Sequence, residues 1–137
     1  MNVQAYLMFN GRTEEALAFY QAALKAEVTA RMRFGEAPEP PPPDMIPDGW
    51  SNKIMHSSFK VGSVELMASD GCQSDGASFS GISLALSVAT PEEAETTFAA
   101  LSEGGQVTMP LAKTFFSPSF GTLTDRFGVS WMVLVAM

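Results

Sequence analysis

Ile54-Met55-His56-Ser57-Ser58-Phe59-Lys60-Val61-Gly62-Ser63-Val64-Glu65-Leu66-Met67-Ala68-Ser69 reads as two strands joined by a tight turn. Val61-Gly62-Ser63-Val64 has the chemistry of a short hairpin loop. If Val61 pairs with Val64, Lys60 opposes Glu65, Ser58 opposes Met67 and His56 opposes Ser69. One face then carries His56, Ser58, Lys60, Glu65, Met67 and Ser69. The other carries Met55, Phe59, Val61, Val64, Leu66 and Ala68, with Ser57 among them. Period-two alternation makes the second face the core side, so the more polar first face meets solvent or a wet cavity.

The same plan is written twice around this hairpin. Val3–Phe9 leads as a strand into a helical run over Thr13–Lys25, and the hairpin closes that half. Ile82–Val88 leads into Pro91–Glu103, and a second hairpin spans Phe120–Val135. In the first helix Ala16, Leu17, Tyr20, Ala23 and Leu24 recur at helical spacing, with Thr13 or Asn10 as expected cap. The second helix begins with Thr90-Pro91-Glu92-Glu93, an N-cap, a first-turn proline and a capping-box glutamate, and stops at Gly104-Gly105. Gly35–Ser51 lies outside the repeat. Its Pro38, Pro40–Pro43 and Pro47 predict an extended surface connection rather than a strand, with a lid edge as the functional alternative. The expected organisation is α+β: one domain over 1–137 made of two βαβββ modules, 1–70 and 82–137, with a 71–81 linker. Its eight strands form a cup-shaped sheet.

The chain has 137 residues, 46% hydrophobic and 17% charged, an ordinary balance for one globular core. Fifteen acidic against 8 basic residues give a net charge of −7, and the basic residues form no stripe, which argues against a nucleic-acid partner. The longest apolar run, Trp131–Met137, is too short to span a bilayer, and the N-terminal stretch lacks a signal-peptide pattern. A single cysteine, Cys72, excludes an internal disulfide. Together these predict a cytoplasmic protein without a membrane partner.

Four stretches carry a family resemblance. They are Tyr6-Leu7-Met8-Phe9-Asn10-Gly11 with Glu15-Ala16 and Phe19-Tyr20; Lys53-Ile54-Met55-His56 with Leu66-Met67-Ala68-Ser69-Asp70; Met109-Pro110-Leu111 with Thr114-Phe115-Phe116; and Phe120-Gly121 with Asp125-Arg126-Phe127-Gly128-Val129-Ser130-Trp131-Met132. They span almost the whole chain and resemble the PhnB-like branch of the glyoxalase/bleomycin-resistance/dioxygenase (vicinal oxygen chelate) superfamily. Lys25 departs from the usual glycine after the first helix, and Phe116 from a frequent tryptophan. The resemblance implies paired βαβββ modules and a homodimer. Some members carry methyltransferase-like labels, but this chain has no glycine-rich loop after a strand to hold a methyl-donor nucleotide.

Metal-dependent members of the superfamily hold a divalent ion with two His, Gln or Glu side chains from each half. Carried over, these positions fall on Ala5, Glu65, Ser83 and Met132, of which only Glu65 is a strong ligand. No metal and no cofactor are therefore expected. The expected ligand-binding residues are His56, Ser58, Glu65, Met67, Ser69, Phe9, Ser83 and Met132, with Leu7 and Leu134 also turned inward.

Plainer readings stand beside these. His56, the only histidine, is a base or ligand-orienting donor, or simply a histidine bonded to its sheet neighbours. Glu65 is an acid–base group, or the partner of Lys60 in an ion pair worth about 0.2–1 kcal/mol. Asp70 and Asp125 read as turn formers. Trp131, Phe127 and Phe120 read as core or dimer contacts. The leading expectation is a protein binding a small organic molecule without a metal. The alternatives are a metal-dependent lyase, isomerase or dioxygenase of the same superfamily, and a non-catalytic structural or regulatory dimer.

Overall fold

The computed structural model describes residues 1–39 and 41–136, so Pro40 of the four-proline run and the C-terminal residue lie outside the described residues. The chain divides into two units, Met1–Ala77 and Ser78–Met137, with the boundary inside the expected linker. Each contains one helix and one four-stranded sheet, an α+β architecture of two βαβββ modules.

In the first unit the elements are β1 (Tyr6–Met8), α1 (Thr13–Leu24), β2 (Glu27–Arg33), β3 (Ile54–Val61) and β4 (Val64–Ser69). The sheet order is β1-β4-β3-β2, with β1 parallel to β4 and the other pairs antiparallel. The hairpin has the expected register, from Ser57 opposite Ala68 to Val61 opposite Val64. Gly62, at φ +60°, supplies the left-handed turn residue. One face packs on α1: Leu7, Phe9, Phe59, Leu66 and Ala68 are buried with Ala16, Leu17 and Tyr20 of the helix. Tyr20 stacks on Phe59 at 5.8 Å and meets Phe9 at 6.3 Å. Ser57, on this core face, is satisfied by donating to the Ala68 carbonyl at 2.7 Å.

Phe9 and Leu7 are therefore on the helix side, not turned toward a ligand cavity as expected. The residues facing away from α1 on this strand are Tyr6 and Met8, which are exposed. The start of α1 also differs from expectation. Asn10 donates instead to the Asp75 carbonyl, and the buried Thr13 hydroxyl has no hydrogen-bond partner. The cap comes from Asp70, at the end of β4 and 1% exposed. Its Oδ1 accepts from the Gly11 and Thr13 amides at 2.9 and 2.8 Å, and its Oδ2 accepts from the Ile54 amide at 2.7 Å. One carboxylate thus ties the helix start, β3 and β4 together, and favours the positive end of the helix. At the other end Lys25 takes the left-handed conformation (φ 56°, ψ 35°) that closes the helix, a conformation that glycine adopts more readily. The proline-rich connection is more structured than an extended strap. It folds into 3-10 turns at Phe34–Glu36, Pro43–Met45 and Trp50–Asn52, anchored by the buried rings of Phe34 and Trp50, 6.0 Å apart.

The second unit repeats the order with β5 (Ser83–Val88), α2 (Pro91–Ser102), β6 (Gln106–Ala112), β7 (Phe120–Thr124) and β8 (Ser130–Val135). Its sheet runs β5-β8-β7-β6, again with the first strand parallel to the last. Thr90 caps α2 as expected, accepting from the Glu93 amide at 3.1 Å, while the Glu93 carboxylate reaches back to the Ala89 amide at 3.1 Å. Ala94, Phe98 and Leu101 are buried with Leu123, Trp131, Val133 and Val135. A Cβ at Gly121 would lie 2.8 Å from the Phe98 ring, so glycine is what allows the helix this close to β7. Asp125, 3% exposed, accepts from the Phe127 and Val129 amides and from the Trp131 indole N–H at 2.9, 3.1 and 2.9 Å. Pro110 is tolerated because β6 is an edge strand with irregular register.

Candidate functional site

On the first sheet, the face turned away from α1 carries polar side chains together with methionines. Register lines up Tyr6 with Met67, Met8 with Ser69, Ser58 with Met67, and Met32 with His56. Two hydrogen-bonded groups stand on it. In the first, the Tyr6 hydroxyl lies 3.0 Å from His56 Nδ1, and the two rings are 5.8 Å apart and tilted by 36°. The phenol reaches from β1 over β4 to a residue on β3.

In the second, Glu65 accepts at Oε1 from the Gln4 side-chain amide at 3.4 Å and at Oε2 from the Thr29 hydroxyl at 3.3 Å. The Gln4 amide also donates to the Glu65 carbonyl at 3.1 Å. Thr29 is the extra residue of a bulge in β2 between Val28 and Ala30, and the bulge re-aims it across the sheet. Lys60 does stand opposite Glu65 in the register, yet the bonds to the carboxylate come from Gln4 and Thr29. Both contacts are long for their type, so a ligand donor can compete for this carboxylate. Between the two groups lie Met67 and Ser58, and beside His56 lies Met32.

The expected residues are thus distributed in three ways. His56, Ser58, Glu65, Met67 and Ser69 share this face of the first unit. The Ser69 hydroxyl is already engaged, accepting from the Gly71 amide at 2.9 Å and lying 3.3 Å from the Met8 sulfur. Phe9 is on the opposite face, 2% exposed. Ser83 and Met132 belong to the second unit, on the face of its sheet opposite the buried Trp131 and Val133. There the Ser83 and Ser130 hydroxyls are 2.7 Å apart, and Met132 pairs with Ala85. Tyr6, Gln4 and Thr29 were not foreseen. Their face could be read only once β1 was registered on β4.

The same register bears on a divalent ion. Ala5 falls between the face-forming residues Gln4 and Tyr6, so Gln4 rather than Ala5 stands beside Glu65. In the second unit, the two carried-over positions hold a serine hydroxyl and a thioether, and neither suits a hard or borderline divalent cation. Among the described residues, no three His, Cys, Asp or Glu side chains are grouped to hold a metal. The second unit's two positions therefore do not suit such an ion.

A concavity of about 560 Å³ lies in the proline-rich segment, lined by Phe34, Pro42, Pro43, Ile46, Pro47 and Trp50 among others. Its volume suits a small molecule. Its one titratable lining residue is Asp48, so it lacks the convergent polar groups of the sheet face.

A family model described as 3-demethylubiquinone-9 3-methyltransferase matches residues 1–134. The chain belongs to this PhnB-like family. Protein YjdN of Escherichia coli K12 is 34% identical to it over 143 residues, covering 98% of this chain and 95% of YjdN. The crystal structure of PA1353 from Pseudomonas aeruginosa is 43% identical with a TM-score of 0.86, covering 99% and 98% of the two chains. The PhnB protein from Bacillus cereus is 30% identical with a TM-score of 0.81, covering 99% and 100%. The fosfomycin resistance protein FosX from Listeria monocytogenes is 11% identical with a TM-score of 0.66, covering 100% and 93%, and shows the shared vicinal oxygen chelate fold alone.

In this PhnB-like chain, several backbone donors at the two strand-to-helix connections are already bonded within the protein. Gly11 and Thr13 are bonded to Asp70, and the α2 start is bonded to Thr90 and Glu93. No helix among the described residues is long and apolar enough to cross a membrane.

Proposed function

We propose that this PhnB-like protein binds a small organic molecule, without a metal, on the face of the first sheet that turns away from α1. The observation that carries the reading is the Tyr6–His56 pair standing beside Met32 and Met67, with the loosely bonded Glu65 at the far end. Thioether side chains give an adaptable apolar floor. The imidazole and carboxylate give orientation. Ser58 and Ser69 complete the proposed set on this face, Phe9 supports it only from beneath, and Ser83 and Met132 are proposed as ligand contacts on the second unit's own sheet. The two modules act within one domain. The protein works as a cytoplasmic homodimer, for which exposed Phe115 and Phe116 supply apolar surface to a second copy.

A thermal-shift screen with small aromatic and phosphonate compounds tests the reading. A ligand at a hundred times its Kd adds about 2.7 kcal/mol to native-state stability. The expected result is at least one compound that raises the melting temperature of the wild type and raises that of His56→Ala less. A screen without a hit, or hits that ignore His56→Ala, contradicts it. Sedimentation at micromolar concentration reads the dimer, and a monomer removes that part.

A further inference from the structure

We propose that Tyr6 is a positioning residue that fixes the tautomer of His56 and thereby selects ligands offering a hydrogen-bond acceptor. The inference rests on the ligand-binding reading above and deepens it. The Tyr6 hydroxyl is 3.0 Å from Nδ1. A phenol is a good donor and a poor acceptor, because its oxygen lone pair is delocalised into the ring, whereas the unprotonated nitrogen of a neutral imidazole accepts well. The bond is therefore polarised from Tyr6 Oη–H to Nδ1, and the ring proton resides on Nε2. The tilted ring contact at 5.8 Å resists a flip of the imidazole, and Met32, directly across from His56, borders the histidine on its other side. An Nε2–H group presents a donor. The complementary ligand atom is a carbonyl, carboxylate or phosphonate oxygen rather than an amine or hydroxyl hydrogen.

Tyr6→Phe keeps the ring and removes only the hydroxyl. His56 is the single histidine, so imidazole nitrogen-15 spectra in mildly alkaline buffer report one residue without assignment. The wild type is expected to show a protonated Nε2 and a hydrogen-bonded, unprotonated Nδ1. In Tyr6→Phe the Nδ1 signal is expected to move toward the average of two exchanging tautomers. A wild-type spectrum with the proton on Nδ1, or identical spectra in the two proteins, overturns the assignment of Tyr6 with no ligand needed.

The selection is read separately, with the compounds that stabilise the wild type. Those with an acceptor oxygen are expected to bind Tyr6→Phe about two- to tenfold more weakly, the range for one hydrogen bond. Equal loss for compounds lacking an acceptor overturns the selection, as does the absence of any bound compound, which also removes the ligand reading but leaves the tautomer result standing.

Discussion

Replacing Asp70 with alanine should destabilise the first unit more than any other single polar substitution outside the candidate site. The carboxylate is 1% exposed and accepts three backbone N–H bonds, from Gly11, Thr13 and Ile54. Alanine leaves all three donors without a partner. Gly11 is only half-buried, so water can replace its bond, whereas Thr13 and Ile54 are both fully buried. At about 1–3 kcal/mol for each unsatisfied buried donor, two of them cost about 2–6 kcal/mol. That is a large part of the roughly 5–15 kcal/mol that holds a small domain together.

Asp70→Asn keeps an oxygen for Gly11 and Thr13 but turns an NH2 group toward the Ile54 amide, so it should lose about 1–3 kcal/mol, one donor's worth. Urea unfolding reads the difference as a fall in midpoint at unchanged slope. Amide exchange locates it, with Thr13 and Ile54 both losing protection in Asp70→Ala and chiefly Ile54 in Asp70→Asn. A loss below about 0.5 kcal/mol for alanine, the size of an ordinary surface change, would show that this carboxylate does not hold the helix start to the sheet. Equal losses for the two variants would refute the bond-by-bond reasoning.

Three further substitutions probe the frame around the site. Thr13→Val should raise stability by about 1 kcal/mol or more, since it removes a buried hydroxyl with no partner, and a lower melting temperature would contradict that. Lys25→Gly should stabilise by about 0.5–1 kcal/mol. A left-handed residue with a Cβ costs about 1–2 kcal/mol, and glycine's greater freedom in the unfolded chain returns part of this. A neutral or destabilising result in urea unfolding would place the strain elsewhere. Gly121→Ala should cost about 1–3 kcal/mol, because its methyl group would meet the Phe98 ring at 2.8 Å and the backbone of Met109 and Leu111 at 3.0 Å. An alanine variant as stable as the wild type would mean that α2 sits farther from β7 than these positions imply.

The hairpin and the second helix were legible because their signals are local. Val61-Gly62-Ser63-Val64 sets its own register, and Thr90 and Glu93 cap the helix that they begin. The first strand was not. Within Val3–Phe9 only Gln4 and the Tyr6 hydroxyl mark a polar face among large apolar side chains, and the strand's side is decided by parallel pairing with β4. Alternation therefore does not by itself put Phe9 on the helix side or Tyr6 and Gln4 on the face with Glu65. Asp70 reads locally as a turn former, since its partners Gly11 and Thr13 are 59 and 57 residues away in sequence. The prolines of the Gly35–Ser51 segment point to an extended connection, whereas its 3-10 turns come with Phe34 and Trp50 meeting across the loop.

Methyl-carbon NMR on protein labelled at its nine methionines tests the ligand face most directly. Titration with a compound that raises the melting temperature should shift the methyl signals of Met32 and Met67, beside His56 and Tyr6, and leave that of Met45 in the proline-rich segment in place. Shifts confined to Met45, with Met32 and Met67 unmoved, would put the ligand in the proline-lined groove and contradict the account.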